Sequence, residues 1–306
     1  SDLGPLNRYP DPRQRELREA IGRYKGIPAG NIFLGNGSDE IIDLCFRIFC
    51  NPGRDRAMVF TPTYGMYGVA ASVNDVGLIR IPLDERFNID LQAARPWLKD
   101  ETLKLIFICS PNNPTGNCME QEAVETIIGE FSGIVVIDEA YADFSGKQSF
   151  SGRTGEFDNL VVMQTFSKAF GLAAARVGMA FADADILKYF FAIKPPYNIS
   201  TINQEAALRR LNEADTVKGR VQSIITERER LALRLAGLPV VEKVWPSDSN
   251  FLLVRVKDAD HIYNSLAARK IIVRNRSREI PGCIRITTGT PEENDRLLTE
   301  LESIAI

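Results

Sequence analysis

The sequence predicts an α/β fold: a mostly parallel, seven-stranded-type sheet sandwiched by helices, followed by a smaller α+β unit. Three observations predict it. Short apolar, β-branched runs recur through the first two thirds of the chain, with helically spaced stretches between them, as in strands joined by helical crossovers. Several of these runs end abruptly in polar loops, and open α/β sheets keep their ligands at such strand ends. After the helices at 201–235 the chain turns to short strands and helices without that regular alternation.

Residues 1–12 are irregular and rich in proline. A helix follows over 13–24, with Leu17, Ala20, Ile21 and Tyr24 at helical spacing, and Gly26-Ile27-Pro28 stops it. A short strand at 31–34 runs into Gly35-Asn36-Gly37-Ser38-Asp39-Glu40, a glycine-rich turn that opens a helix reaching about residue 49. Ser38 is the expected N-cap. The free backbone N–H groups there suit a phosphate, and a plain capped helix reads the same way. Strand 57–60 leads to Thr61-Pro62-Thr63-Tyr64, where Tyr64 can wall a flat ligand or pack into the core. Strand 77–82 comes next.

Strand 104–109 ends in Ser110-Pro111-Asn112-Asn113-Pro114-Thr115-Gly116, a tight turn in which Asn113 is held by the proline after it and can aim an amide donor. A helix over 119–131 carries the chain back to strand 133–137, and Asp138-Glu139-Ala140-Tyr141 follows at once. A carboxylate ending so apolar a run is costly unless a ligand or a structural partner bonds it. Strand 159–163 precedes Thr165-Phe166-Ser167-Lys168-Ala169-Phe170-Gly171. A lysine placed there can lose solvation, drop its pKa and form a Schiff base with a carbonyl; most lysines after strands are simply solvated. Strand 177–181 follows, and a short loop can return Arg176 to the neighbourhood of Lys168.

A loop at 194–198 precedes helices at 201–211 and 215–235. Strands are expected near 240–244, 250–256, 271–274 and 283–287, with helices at 259–269 and 291–304, the last with Pro291 in its first turn. Arg274 and Arg285 border these strands. Facing a cleft they form forks for carboxylate or phosphate; otherwise they are surface residues. Arg228, Arg230 and Arg234 alternate with Glu227 and Glu229 and predict a solvated helix face.

Composition narrows the function. A net charge of -3 gives no basic field for nucleic acid, and no apolar run reaches membrane-spanning length. The opening residues Ser1 to Pro5 do not read as a signal peptide. The five cysteines lack metal-site spacing and fit reduced thiols, which points to the cytoplasm and to no metal. The single histidine, His261, lies in a helical pattern, against a His-based zinc site or a Ser-His-Asp triad.

Together the loops supply an anion-binding helix start, an aromatic wall, a held asparagine, a strand-end aspartate, and a lysine flanked by hydroxyls with an arginine nearby. A flat, phosphorylated ligand with a ring nitrogen, a ring hydroxyl and an aldehyde matches that set, and pyridoxal 5′-phosphate has those groups. The run Ser-Pro-Asn-Asn-Pro-Thr-Gly, the Asp-Glu-Ala-Tyr step, Ser-Lys-Ala-Phe-Gly and the Asp138-to-Lys168 interval resemble the fold type I pyridoxal-phosphate aminotransferases. Asn-Arg-Tyr-Pro-Asp-Pro, Gly-Ser-Asp-Glu, Pro-Thr-Tyr-Gly-Met-Tyr and Ile-Arg-Ile-Thr-Thr-Gly-Thr are similar to the histidinol-phosphate aminotransferase subfamily, and the resemblance spans nearly the whole chain.

The resemblance implies a large cofactor domain over 30–212 and a small domain built from both chain ends, 1–29 and 213–306. It implies that Lys168 holds the cofactor and moves the proton of the substrate α-carbon. Asp138 pairs with the pyridine nitrogen, Tyr141 and Asn113 bond the ring oxygen, and Tyr64 stacks on the ring. The backbone of Ser38 and Asp39, with Thr165, Ser167 and Arg176, holds the phosphate. Tyr9 reaches the phosphate of the partner subunit in a homodimer. Arg285 meets the substrate's carboxylate or phosphate, Arg274 is a second phosphate ligand, and Asn113 and Tyr9 border the substrate. The implied reaction is transamination between histidinol phosphate and 2-oxoglutarate in histidine biosynthesis. An aromatic aminotransferase or a phospho-amino-acid decarboxylase would share the cofactor motifs. A regulator's ligand-sensing domain would need an attached DNA-binding module, and no basic helix-turn-helix pattern occurs in the sequence. The family's Asn-Glu-Asn-Pro arm would lie ahead of the first residue here, and Ala174 stands where glycine is common in the family.

Overall fold

Helix α1 (Arg15–Lys25) ends at Gly26, whose φ of 70° is the left-handed conformation that a residue without Cβ adopts freely. Then come β1 (Ile32–Asn36), α2 (Ser38–Phe49), β2 (Arg56–Thr61), α3 (Met66–Val73) and β3 (Gly77–Pro82). A single turn, α4 (Leu91–Ala94), leads to β4 (Leu103–Cys109), α5 (Gln121–Glu130), β5 (Ile134–Asp138), β6 (Leu160–Thr165) and β7 (Val177–Ala182). This computed structural model describes residues 6–304, so the part of the irregular opening stretch at 1–5 lies outside the described residues.

The seven strands form one sheet in the order β1-β7-β6-β5-β4-β2-β3, in which β7 alone runs against the others. Their side chains alternate between two apolar layers. Ile32, Leu34, Met58, Phe60, Ile106 and Ile108 enter one layer, and Phe33, Ala57, Val59, Leu105 and Phe107 enter the other. Burial on both faces is why the strands read as continuous apolar runs rather than as alternation.

The chain continues through α6 (Ala184–Ile193), α7 (Thr201–Asn212) and α8 (Ala214–Ala236). After them come β8 (Val241–Val244), β9 (Phe251–Val256), α9 (Ala259–Ala268), β10 (Arg274–Asn275), β11 (Cys283–Thr287) and α10 (Pro291–Glu302). These four strands make an antiparallel sheet, β10-β11-β9-β8, with its own core of Leu231, Leu235, Leu252, Val254, Ile262 and Leu298. Leu17 and Ile21 of α1, and Val217 and Val221 of α8, pack instead into the first sheet's apolar layer.

Several expectations need correction. Gly37, at φ 77°, is the N-cap of α2, and Ser38 is its first helical residue, because only glycine takes that turn without strain. The strand expected at 271–274 shrinks to Arg274–Asn275: Lys270, at φ 61°, turns the chain, and Val273 anchors in the second core instead of pairing. Helices α3 and α6 were not anticipated, although Ile186, Leu187 and Phe190 of α6 sit at helical spacing behind the capping Asp183. The arginine run on α8 is not uniformly solvated. Arg228 is buried and donates through Nη1 to the Ser249 carbonyl at 2.7 Å, and buried Glu227 accepts from Arg230 and Asn294. All five cysteines are free. Among the described residues no helix is long and apolar enough to cross a membrane, and no cluster of His, Cys, Asp or Glu could hold a metal ion.

Candidate active site

The carboxyl ends of β4, β5 and β6 and the amino end of α2 border one cavity of about 370 Å³, a size suited to a small molecule. The reversed direction of β7 matters here. Its amino end lies on the same edge as the other strands' carboxyl ends, with Gly178 opposite Thr165, so Arg176 just before it reaches the cavity.

Ser38, Asp39, Tyr64, Asn113, Asp138, Tyr141, Thr165, Ser167, Lys168, Arg176, Arg274 and Arg285 all line this space. Tyr9 does not. It is 80% exposed and stacks on Tyr197, with ring centroids 4.3 Å apart, beside a separate hollow. Two residues of consequence were missed. Tyr67 stands in the first turn of α3, and recognition of that helix would have placed it beside the end of β2. Arg276 follows Arg274 by two, the spacing of one strand face.

Asp138 ends β5 and is 3% exposed. Its Oδ2 accepts from the Tyr67 hydroxyl at 2.8 Å and its Oδ1 from the Ala140 N–H at 3.1 Å. Burial pushes its pKa above the ordinary carboxylate value, against the pull of these two bonds and of the Lys168 charge. Tyr67 is fully buried and stacked on Phe107 at 4.9 Å, which fixes its hydroxyl. Tyr64 packs edge-on to Tyr67 and donates to Asp39 Oδ1 at 3.1 Å.

Lys168 lies on the loop after β6, its Nζ 5.3 Å from the centre of the Tyr141 ring. It keeps contact with solvent through the open cleft. The protein packed around its other sides, and then the Arg285 charge, lower its pKa, while Asp138 and Asp39 act the other way. Tyr141 is buried edge-on to Phe251, and burial raises its pKa to about 12.

At one end of the cavity the first N–H groups of α2 meet Arg176, Thr165 and Ser167. Arg176, at φ 50°, donates through Nη2 to Asp39 Oδ2 at 3.2 Å, and the Ser167 N–H donates to Thr165 Oγ1 at 3.1 Å. A Cβ on Gly178 would fall 2.5 Å from Gly37 C and Ser38 N, so glycine lets β7 pass this close to the helix start. At the other end the second sheet contributes Arg274, Arg276 and Arg285. Arg285 Nη1 donates to Asn113 Oδ1 at 2.6 Å and its guanidinium lies 4.7 Å from the Phe251 ring centre. Asn113 thus spends its oxygen on arginine, which leaves its amide nitrogen to donate elsewhere.

The residues fit pyridoxal 5′-phosphate. The start of a twelve-residue helix with arginine and hydroxyls suits the phosphate, and a buried carboxylate that accepts from the neutral Tyr67 hydroxyl and Ala140 N–H suits a protonated ring nitrogen. A lysine of lowered pKa suits the carbonyl.

The chain belongs to the family of class I and II aminotransferases, whose family model matches residues 1–301. It is 49% identical to a histidinol-phosphate aminotransferase of Parabacteroides distasonis, over 99% of this chain and 88% of that protein. It is 47% identical to that of Cytophaga hutchinsonii, over 97% and 86%. Among solved structures it is similar to the histidinol-phosphate aminotransferase of Clostridium acetobutylicum, with a TM-score of 0.90 at 26% identity over 97% of this chain and 90% of that one. The enzyme of the same name from Sinorhizobium meliloti, solved with pyridoxal-5′-phosphate, gives 0.89 at 25% identity over 98% and 83%.

Proposed function

We propose that this chain catalyses pyridoxal-phosphate-dependent transamination between histidinol phosphate and 2-oxoglutarate, giving imidazole-acetol phosphate and glutamate in histidine biosynthesis. The observation that carries the reading is the meeting of Lys168, Asp138 and Arg176 with paired Arg274 and Arg285 in one cavity. Close likeness to curated enzymes of that name supports it.

When bound, the cofactor supplies an electron sink for the carbanion at the substrate α-carbon. The Ser38 and Asp39 backbone, Thr165, Ser167 and Arg176 hold its phosphate. Asp138 would pair with the ring nitrogen and so favour its protonated form. Tyr64 would wall one face of the ring, and Asn113 and Tyr141 would bond the ring oxygen. Lys168, with its lowered pKa, would take the proton from the substrate α-carbon at Nζ and pass it to the cofactor's aldehyde carbon, C4′. Arg285 and Arg274 hold the donor's phosphate or the carboxylate of glutamate, since a guanidinium fork accepts either anion.

The active unit is a homodimer in which the exposed Tyr9 reaches the partner's cofactor phosphate, and the enzyme works in the cytoplasm. The chain divides into a cofactor domain at 30–212 and a small domain from 1–29 and 213–306, with α1 and the start of α8 forming the join.

The test is a pair of half-reactions. Protein loaded with pyridoxal phosphate is mixed with histidinol phosphate and then with 2-oxoglutarate. The visible absorbance of the bound cofactor should shift to the amino form and then return, with imidazole-acetol phosphate and glutamate as products. A shift with phenylalanine but none with histidinol phosphate would discard this substrate.

A further inference from the structure

Arg276 lies two residues beyond Arg274 on the chain that continues β10. Its N–H donates to the Cys283 carbonyl at 2.8 Å, so the ladder with β11 carries on past Asn275. Alternation along the strand puts Arg274 and Arg276 on one face, and Arg285 lies directly opposite Arg274. All three border the cavity. Like charges facing one another across a ladder are unfavourable, so the arrangement calls for an anion between them.

Arg276 is held by two contacts. Its Nη1 donates to Glu279 Oε1 at 3.0 Å, and its Nη2 donates to Asn113 Oδ1 at 3.4 Å, the oxygen that also accepts from Arg285. The Nε atoms of Arg276 and Arg285 are buried without hydrogen-bond partners among the described residues. On the reading proposed above, Arg176 is taken by the cofactor phosphate and Asp138 by the ring nitrogen. Three arginines then remain at the substrate end, and Glu279 offsets one of them. The two positive charges left over match a phosphomonoester, which carries about -1.5 to -2 near neutral pH. A single carboxylate would leave one guanidinium uncompensated.

We propose that Arg276, set against Glu279, is a specificity-determining residue that tunes this end of the cavity to a phosphomonoester dianion over a single carboxylate. The inference rests on the proposed substrate reading. Arg274 and Arg285 can grip either anion, and the third guanidinium makes the choice.

The experiment uses cofactor-loaded protein: wild type, Arg276→Gln, Arg276→Lys and Glu279→Gln. Turnover of histidinol phosphate is measured, and binding of inorganic phosphate and of phenylalanine is measured by calorimetry. Arg276→Gln should raise KM for histidinol phosphate about tenfold to a hundredfold, the loss of one hydrogen bond between charged groups. It should weaken phosphate binding relative to phenylalanine binding, and Arg276→Lys should recover part of both. Glu279→Gln should move the phosphate-to-phenylalanine preference in the opposite direction. A merely structural Arg276–Glu279 pair would make the Gln variants move together, and that result overturns the proposal. So does a wild-type preference in Arg276→Gln while wild type turns over histidinol phosphate. If wild type does not turn over histidinol phosphate yet the variants shift phosphate binding in opposite directions, the substrate reading fails and the selection of a dianion by Arg276 stands.

Discussion

Replacing Tyr67 by phenylalanine removes one atom from a buried pair and leaves the packing on Phe107 intact. The hydroxyl lost lies 2.8 Å from Asp138 Oδ2, and both residues are buried. A hydrogen bond to a charged acceptor contributes about 1.5–3 kcal/mol, which corresponds to about 1–2 pK units on the acceptor. Burial already holds Asp138 above its ordinary 3.8, and without Tyr67 it should rise further. A carboxyl group whose pKa is raised on folding makes the native state bind a proton that the unfolded chain releases. Its stabilising contribution is fully present below 3.8 and is lost as pH rises through the folded value. In the cofactor-free protein, Tyr67→Phe should therefore cost about 1.5–3 kcal/mol where Asp138 is ionised and clearly less toward about pH 4. Urea unfolding of both proteins across that range reads the difference directly. An equal cost at every pH, or a cost that grows toward acid, would refute the coupling between Tyr67 and the Asp138 charge.

Other outcomes follow from the same geometry. Lys168 has a lowered pKa, whereas Lys188 is raised by its bond to Asp185 at 2.8 Å. Acylation of the cofactor-free protein, followed by mass spectrometry against pH, should show Lys168 becoming reactive at lower pH than Lys188, and the reverse order would count against an activated Lys168. Gly178→Ala forces a Cβ against Gly37 and Ser38. It should cost about 1–3 kcal/mol of stability and weaken cofactor binding, both visible in a thermal melt with and without pyridoxal phosphate; wild-type values in both would contradict the close approach. Glu139 is buried and accepts from Gln164 Nε2 at 2.8 Å and the Phe150 N–H at 2.7 Å. Glu139→Gln turns an acceptor into a donor facing donors, so denaturant unfolding should show a loss of about 1–3 kcal/mol, and an unchanged midpoint would argue that the network rearranges freely.

Much of the site was legible because its residues stand at strand ends. Asp138, Lys168 and Asn113 each follow an apolar run too regular to be anything but a buried strand, and an unusual polar loop after such a run is visible in a single sequence. Tyr67 was less visible because α3 is short and lacks clear amphipathic periodicity, so its inward face does not announce itself. Arg228 misled for a related reason. A charge run on a helix reads as solvated until a neighbouring carbonyl, here that of Ser249, claims one of its members. Tyr9 lies outside the cavity of its own chain, beside a separate hollow, and nothing in a single sequence separates it from the residues that line the cavity.

The sequence by itself determined the α/β class, the strands and most helices, the polar loops and the choice of lysine, because periodicity and turn chemistry depend on residues adjacent along the chain. Only the tertiary structure decided the strand order and the reversal of β7 that brings Arg176 beside Thr165. It also decided that Arg276 and Arg285 reach from the second sheet to Asn113, with Arg274 bordering the same cavity, and that Tyr67 holds Asp138. These depend on contacts between residues far apart in sequence, where packing of the whole core sets which partners meet.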